Sequence, residues 1–235
     1  MKVAAIIAAA GLGRRMQKDT PKTYLLLAGK PILIHTLEVF ENIPEVHEVL
    51  VVVHPEDLEY CQNEIIDPYP LKKVLRLVPG GKERQDSVYN ALKVLHKEAD
   101  ELDIVLVHDG VRPLVDPVQV RQVVVAARRY GAAILGIPCQ DTLKRVGPKG
   151  EVVETVDRQE LWQVQTPQAF RAALLWRAYQ DAMSRGFYAT DEAALVEALG
   201  EMVAVVPGSP LNLKITTPDD LKMAEAFMTL RKGAP

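Results

Sequence analysis

The feature that most constrains this chain is an alternation of short, continuously apolar, β-branched runs with longer amphipathic stretches. Val3–Ala8, Val49–Val53, Val74–Val78, Ile104–His108 and Ala132–Ile137 read as strands. Being continuous apolar runs, Arg76 and His108 apart, rather than alternating ones, they are expected to be buried on both faces. Between them, Ile32–Phe40, Glu56–Ile66, Arg84–His96 and Pro117–Tyr130 place apolar residues three or four apart, the helical spacing, and Pro117 suits a first helical turn. Strand, helix and strand in succession specify an α/β fold, a mostly parallel sheet with helices on both faces. The 235 residues suffice for one such unit. No repeat or linker divides them, so 1–235 reads as a single domain.

After residue 138 the rhythm changes. Thr142–Val146 and Val152–Val156 are short strand-like segments around Gly147-Pro148-Lys149-Gly150, a turn signal. They predict a protruding β-hairpin arm at about 139–160. A lone two-stranded hairpin is marginal in water, so the arm is expected to pack against the same arm of a second copy, making a homodimer. Trp162–Gln165, helices near Phe170–Ser184 and Asp191–Leu199, a strand at Met202–Val206 and a helix from Pro218 onward complete the pattern. Asp191 and Glu192 suit the first turn of a helix, and Trp162 and Phe170 are expected in the core.

Composition removes several classes of function. With 48% hydrophobic and 25% charged residues the chain is of globular type. A net charge of −3 argues against a nucleic-acid partner, which calls for a basic surface. Lys2 and the uncharged run Val3–Gly13 superficially resemble a secretory signal. The run is far short of the roughly 18 apolar residues a bilayer span needs, so no membrane association is expected. Two widely separated cysteines, Cys61 and Cys139, read as unpaired thiols of a cytoplasmic protein.

The chemistry concentrates after the first strand, in AAAGLGRRMQKDTPK, residues 8–22. Small residues let backbone amides approach an anion and form a nest for it. Residues 1–30 hold six basic side chains (Lys2, Arg14, Arg15, Lys18, Lys22, Lys30) against one acid, Asp19, a local charge of 6 − 1 = +5. In a chain of net −3, that pattern at the carboxyl end of a strand predicts a polyphosphate site. Two common phosphate motifs are excluded. No Gly-Lys-Ser/Thr occurs, as a Walker loop requires. Arg14, Arg15 and Met16 stand where a dinucleotide fingerprint needs its third small residue.

The run AAAGLGRRM…PKTYLLLAGKPILIHTLEVF resembles the opening of the 2-C-methyl-D-erythritol 4-phosphate cytidylyltransferase family. GGKERQDSV (80–88), VHDGVRP (107–113), DTLK (141–144), TVDR (155–158), QTPQAF (165–170), TDEA (190–193) and NLKITTPDDL (212–221) resemble its remaining blocks, in order. The sequence departs where Thr23 replaces a common Gln and Gly110 a frequent Ala.

The resemblance implies a Rossmann-like nucleotidyltransferase that joins the cytidylyl group of CTP to 2-C-methyl-D-erythritol 4-phosphate and releases pyrophosphate. Another polyol phosphate, such as D-ribitol 5-phosphate, is the alternative acceptor. By position in the matching motifs, Arg15 and Lys22 would stabilise the transition state. Ala9, Ala10, Gly11, Gly13, Gly81, Ser87 and Gly110 would bind the nucleotide. Asp109, Arg112, Thr142, Arg158, Thr166 and Lys214 would bind substrate, with Thr142 and Arg158 reaching the partner's site if the arms exchange. Mg²⁺ would be held mainly by CTP phosphates and water, without protein ligands of its own. His108 reads as a packed strand residue.

Overall fold

The computed structural model of the chain describes residues 1–11, 21–98 and 102–233. In chain order its strands are β1 (Lys2–Ala8), β2 (Leu26–Leu27), β3 (Lys30–Pro31), β4 (Glu48–Val53), β5 (Val74–Pro79), β6 (Leu102–Asp109), β7 (Ala132–Pro138), β8 (Leu143–Val146), β9 (Val152–Val156), β10 (Trp162–Arg171) and β11 (Ala204–Pro207). Its helices are α1 (Ile32–Glu41), α2 (Leu58–Tyr60), α3 (Arg84–Glu98), α4 (Pro117–Tyr130), α5 (Ala172–Arg185), α6 (Glu192–Glu197) and α7 (Pro218–Gly233).

Seven strands share one sheet in the order β11-β7-β10-β6-β1-β4-β5. Every pairing in it is parallel except those of β10, which runs antiparallel to β6 and β7. β6 lies at the centre with β1 beside it, and the alternation of β1 serves both faces. Val3, Ala5 and Ile7 face a core built with α1 and α4, whereas Ala4 and Ile6 face one built with α3, α5 and α6. Four of the five runs, those in β1, β4, β6 and β7, are strands buried from both sides, as their hydrophobicity predicts. The fifth, β5, is not: it is the edge strand of the sheet, Leu75 and Arg76 are exposed, and of its residues only Val78 is buried.

The sheet order positions the site. From β1 the chain moves outward through β4 and β5, then crosses back to place β6 on the other side of β1. The connections thus diverge at the carboxyl ends of β1 and β6, opening the crevice where α/β folds bind ligands.

Several elements differ from expectation. The stretch expected as one helix at Glu56–Ile66 is a 3-10 turn at Pro55–Asp57, one α turn in α2 and a π-helical turn at Cys61–Ile66. The wider π turn brings Cys61, Ile65 and Ile66 to the buried side while Gln62, Asn63 and Glu64 face water. Phe170 is buried as expected, but it belongs to β10 rather than to a helix. Trp162, expected in the core, is 40% exposed. It opens β10, whose first three residues are exposed and whose buried part begins at Gln165. β8 and β9 pair antiparallel as a separate two-stranded sheet, from Leu143 opposite Val156 to Val146 opposite Val152.

Candidate active site

A cavity of about 480 Å³ opens at the crevice. Ala8–Gly11 at the end of β1, His54 just past β4, the bend and first turn of α3 at Gly81–Arg84 and Ser87, Asp109 and Val111 after β6, Lys22, Thr23 and Lys214 all line it. Of the residues singled out from sequence, Ala9, Ala10, Gly11, Lys22, Gly81, Ser87, Asp109 and Lys214 are brought together here. Gly13 and Arg15, like Arg14 and Lys18, lie outside the described residues. Thr142 and Arg158 are exposed near the ends of the two-stranded sheet and do not line the cavity. The count of six cations is too high for this site, because Lys2 pairs with Glu48 at 3.2 Å and Lys30 with Glu38 at 2.6 Å.

Asp109 is the electrostatic centre. Lys214 Nζ stands 3.0 Å and Arg112 Nε 3.3 Å from its Oδ2, and Arg84 Nε 3.6 Å from Oδ1. Burial pushes the carboxyl up, but Lys214, Arg84 and Arg112 together outweigh burial and hold it well below the usual carboxylate range. Asp109 is thus an anion that gathers three cations around one wall of the cavity.

The residues behind Asp109 fix it. Its backbone N–H donates to Thr166 Oγ1 at 3.0 Å. His108 Nε2 lies 3.1 Å from the Arg112 carbonyl and Nδ1 3.1 Å from Thr166 Oγ1. A carbonyl only accepts, so Nε2 carries the proton and the Thr166 hydroxyl donates to Nδ1. Burial pushes the imidazole down to about 4, so His108 is neutral near pH 7. It packs against Phe40 as a strand residue. Arg112 Nη1 donates to the Asn212 carbonyl at 2.7 Å. Gly110 gives its N–H to the Ala8 carbonyl at 2.9 Å and accepts from Thr36 Oγ1 at 3.0 Å. Thr166, Arg112 and Gly110 therefore support the cavity wall from behind.

The opposite wall is made of close backbone approaches. Ala9 donates its N–H to the Val52 carbonyl at 2.8 Å, which leaves Ala10 and Gly11 as this loop's backbone donors among the described residues. A Cβ on Gly81 would fall 2.4 Å from Asp86 Cβ, and one on Gly80 2.6 Å from Ala10 Cβ. Only glycine fits at either position. Ser87 Oγ accepts the Gly81 N–H and donates to the Glu83 carbonyl, both at 3.0 Å, so the hydroxyl shapes the bend it lines.

Sequence reasoning missed Arg84, which lies inside the GGKERQDSV block. Its Nη1 donates to both carboxylate oxygens of Glu192, at 2.7 and 3.0 Å. Glu192 is buried and also accepts from Tyr179 Oη at 3.0 Å. Burial disfavours the guanidinium charge, but Glu192 and Asp109 outweigh it and hold Arg84 charged. Asp191 caps α6 by accepting the Ala194 N–H, so the acidic pair begins that helix as expected. Glu192 reaches from it into the site wall. Thr23 is a further missed residue, its buried hydroxyl without a partner among the described residues.

The site can hold a polyanion and align it between cations and backbone amides. Among the described residues no helix is long and apolar enough to cross a membrane. Cys61 is buried and Cys139 partly buried, and neither forms a disulfide.

A family model described as 2-C-methyl-D-erythritol 4-phosphate cytidylyltransferase matches residues 3–230. A relative of that name from Syntrophus aciditrophicus is 48% identical over 232 residues, 99% of this chain and 98% of the relative. One from Pelotomaculum thermopropionicum is also 48% identical, over 99% of this chain and 96% of its own. Among solved structures, 4-diphosphocytidyl-2C-methyl-D-erythritol synthase from Anaerococcus prevotii aligns with a TM-score of 0.83 at 32% identity, covering 97% of this chain and 96% of that one. The Thermus thermophilus cytidylyltransferase aligns with a TM-score of 0.78 at 37% identity, over 97% and 100% of the two chains. With a family match over nearly its whole length on a fold that carries a cation-ringed crevice, the chain belongs to the 2-C-methyl-D-erythritol 4-phosphate cytidylyltransferase family.

Proposed function

We propose that the chain transfers the cytidylyl group of CTP to 2-C-methyl-D-erythritol 4-phosphate, giving 4-diphosphocytidyl-2-C-methyl-D-erythritol and pyrophosphate. The carrying observation is the crevice at the ends of β1 and β6, where Lys22, Lys214 and Arg84 meet the small-residue loop. An oxygen of the acceptor's phosphate forms a bond to the α-phosphorus of CTP as the bond to the β-phosphate's bridging oxygen breaks. The acceptor is a phosphate monoester with a second pKa near 6, already largely dianionic at neutral pH, and needs no general base. The protein's task is to align two mutually repelling phosphates and compensate their charge.

In this reading Lys22 and Arg15 stabilise the transition state at the α-phosphorus. The backbone of Ala9–Gly11, Gly13 and Gly81, with Ser87, holds the cytidine, and Gly110 keeps the β6 loop against β1. Asp109 orders Lys214, Arg84 and Arg112 and faces the substrates' hydroxyls, while Thr166 holds Asp109. Asp109 and Glu83 are the carboxylates that line the cavity among the described residues, and Asp109 is already faced by three cations. That donor set fits a Mg²⁺ carried on CTP phosphate oxygens and water, with Asp109 as the neighbouring carboxylate. When bound, the ion would supply charge neutralisation on the triphosphate.

The chain 1–235 acts as one nucleotidyltransferase domain, with an arm at about 139–160 that joins two copies. Thr142 and Arg158, exposed on that arm, serve the partner's acceptor phosphate. Unpaired cysteines support a cytoplasmic setting.

Pyrophosphate release from each nucleoside triphosphate, with each polyol phosphate, tests the reading. Turnover is expected with CTP and 2-C-methyl-D-erythritol 4-phosphate, and D-ribitol 5-phosphate is expected to fail as acceptor. Lys22→Ala is expected to lower kcat by about a hundredfold or more without loss of fold. Wild-type turnover in that variant would refute the role given to Lys22.

A further inference from the structure

His54 has no role in the scheme above, yet it lines the same cavity. It follows β4 directly, and the two carbonyls before it tie down the loops on either side. Val52 accepts the Ala9 N–H and Val53 the Gly80 N–H, both at 2.8 Å. The imidazole thus stands between the two small-residue loops that the proposed function gives to the cytidine, the inference resting on that reading.

Its two nitrogens are in different situations. His54 caps the 3-10 turn that starts at Pro55, with Nδ1 accepting the Glu56 N–H at 3.4 Å. A nitrogen that accepts carries no proton, so the neutral ring has its N–H at Nε2. No described residue meets Nε2, and the side chain keeps 32% of its surface exposed. A ring held by one nitrogen, with a donor on the other and a place in the cavity wall, is built to meet a ligand acceptor.

We propose that His54 is a further nucleotide-binding residue, donating from Nε2 to an acceptor on the pyrimidine ring of CTP. The cations that answer phosphate gather on the Asp109 side of the cavity. His54 belongs instead to the part of the wall framed by the two small-residue loops, and faces the base.

The division of labour between the nitrogens supplies the test. Asn is a favoured cap whose side-chain oxygen replaces Nδ1 as acceptor, but it is too short to replace Nε2. In His54→Asn the turn is retained and the cavity donor lost. Gln reaches further, its amide NH₂ lying near the position of Nε2. Calorimetric titration of the protein, in buffer containing Mg²⁺, with CTP and, separately, with pyrophosphate should show CTP binding threefold to about tenfold weaker in His54→Asn. Pyrophosphate binding and the thermal midpoint should be unchanged, and His54→Gln should recover most of the CTP affinity. In turnover, KM for CTP should rise with kcat little affected. Wild-type CTP affinity in His54→Asn, or an equal loss of pyrophosphate binding, overturns the assignment. Failure of the wild-type protein itself to bind CTP would instead overturn the proposed function.

Discussion

His108 and Asp109 are adjacent on β6 and are both buried, yet they carry opposite charge logic. Asp109 is held ionised by three cations, whereas His108 is kept neutral by burial, with its imidazole lowered from 6.5 to about 4. The linkage has a definite sign. Between pH 6.5 and 4 the unfolded chain binds a proton at His108 that the folded chain refuses, so stability is present above pH 6.5 and is lost as pH falls towards about 4. The loss amounts to about 3 kcal/mol over that window and about 2 kcal/mol by pH 5. Asp109, depressed further, adds acid sensitivity in the same direction. Urea unfolding at pH 7 and pH 5 checks this. His108→Gln should be less stable than wild type at pH 7, having lost a tuned pair of hydrogen bonds. It should lose about 2 kcal/mol less than wild type between the two pH values. Equal losses in both proteins would mean that His108 is protonated in the fold. Residue roles of this kind were half legible in the sequence. Asp109 ends a strand, a position with a known use, but nothing local marks Arg84 as the partner of Glu192, which is 108 positions away.

At the scale of elements, legibility follows the physics of each segment. β1, β4, β6 and β7 could be read because parallel strands buried on both faces carry apolar runs, whereas β5, the edge strand, was legible as a strand but not as an exposed one. The π turn at Cys61–Ile66 could not, because its apolar spacing of four and five falls near enough to the helical period to pass for an α-helix. Trp162 misled for a related reason. A large aromatic in a strand-like segment suggests core, but the first three residues of β10 are all exposed and its buried part begins only at Gln165. The bend between β5 and α3 shows how little tolerance the site-bearing connections have. Gly81 sits so close to the first turn of α3 that a methyl would strike Asp86 Cβ, and the Asp86 backbone carbon lies only 3.2 Å from that methyl. Gly81→Ala is therefore expected to push the bend off α3 and break the Gly81–Ser87 hydrogen bond. Steady-state kinetics should show KM for CTP rising by roughly tenfold to a hundredfold. The global thermal midpoint should move little, since the bend contributes no core residue. A wild-type KM would show that the bend's geometry is irrelevant to nucleotide binding.

For the whole molecule, the unresolved tension in a single chain is its arm. β8 and β9 form a two-stranded sheet outside the main one, and Val146, Val152, Val153, Leu161, Trp162 and Val164 are all exposed in and beside it. Pairs such as Arg145 with Glu154 at 2.6 Å brace the hairpin itself, but surface ion pairs of this kind add little, and an isolated hairpin is marginal. Covering this apolar surface with the same surface of a second copy resolves the exposure through an isologous contact. The proposed dimer would also give Thr142 and Arg158, which do not line the crevice of their own chain among the described residues, a site to act on. A cross-subunit site has a signature that an in-chain site lacks. Lys22→Ala removes a cation from a protomer's own cavity, and Arg158→Ala removes one from its partner's, so each variant alone should be nearly inactive. Mixed and allowed to exchange, half the dimers become hybrids. In each hybrid the cavity with native Lys22 faces the arm with native Arg158, so one of its two sites is intact. Activity should therefore return to about a quarter of wild type, and light scattering should report a dimer throughout. If Arg158 served its own chain, no hybrid would contain an intact site and mixing would restore nothing.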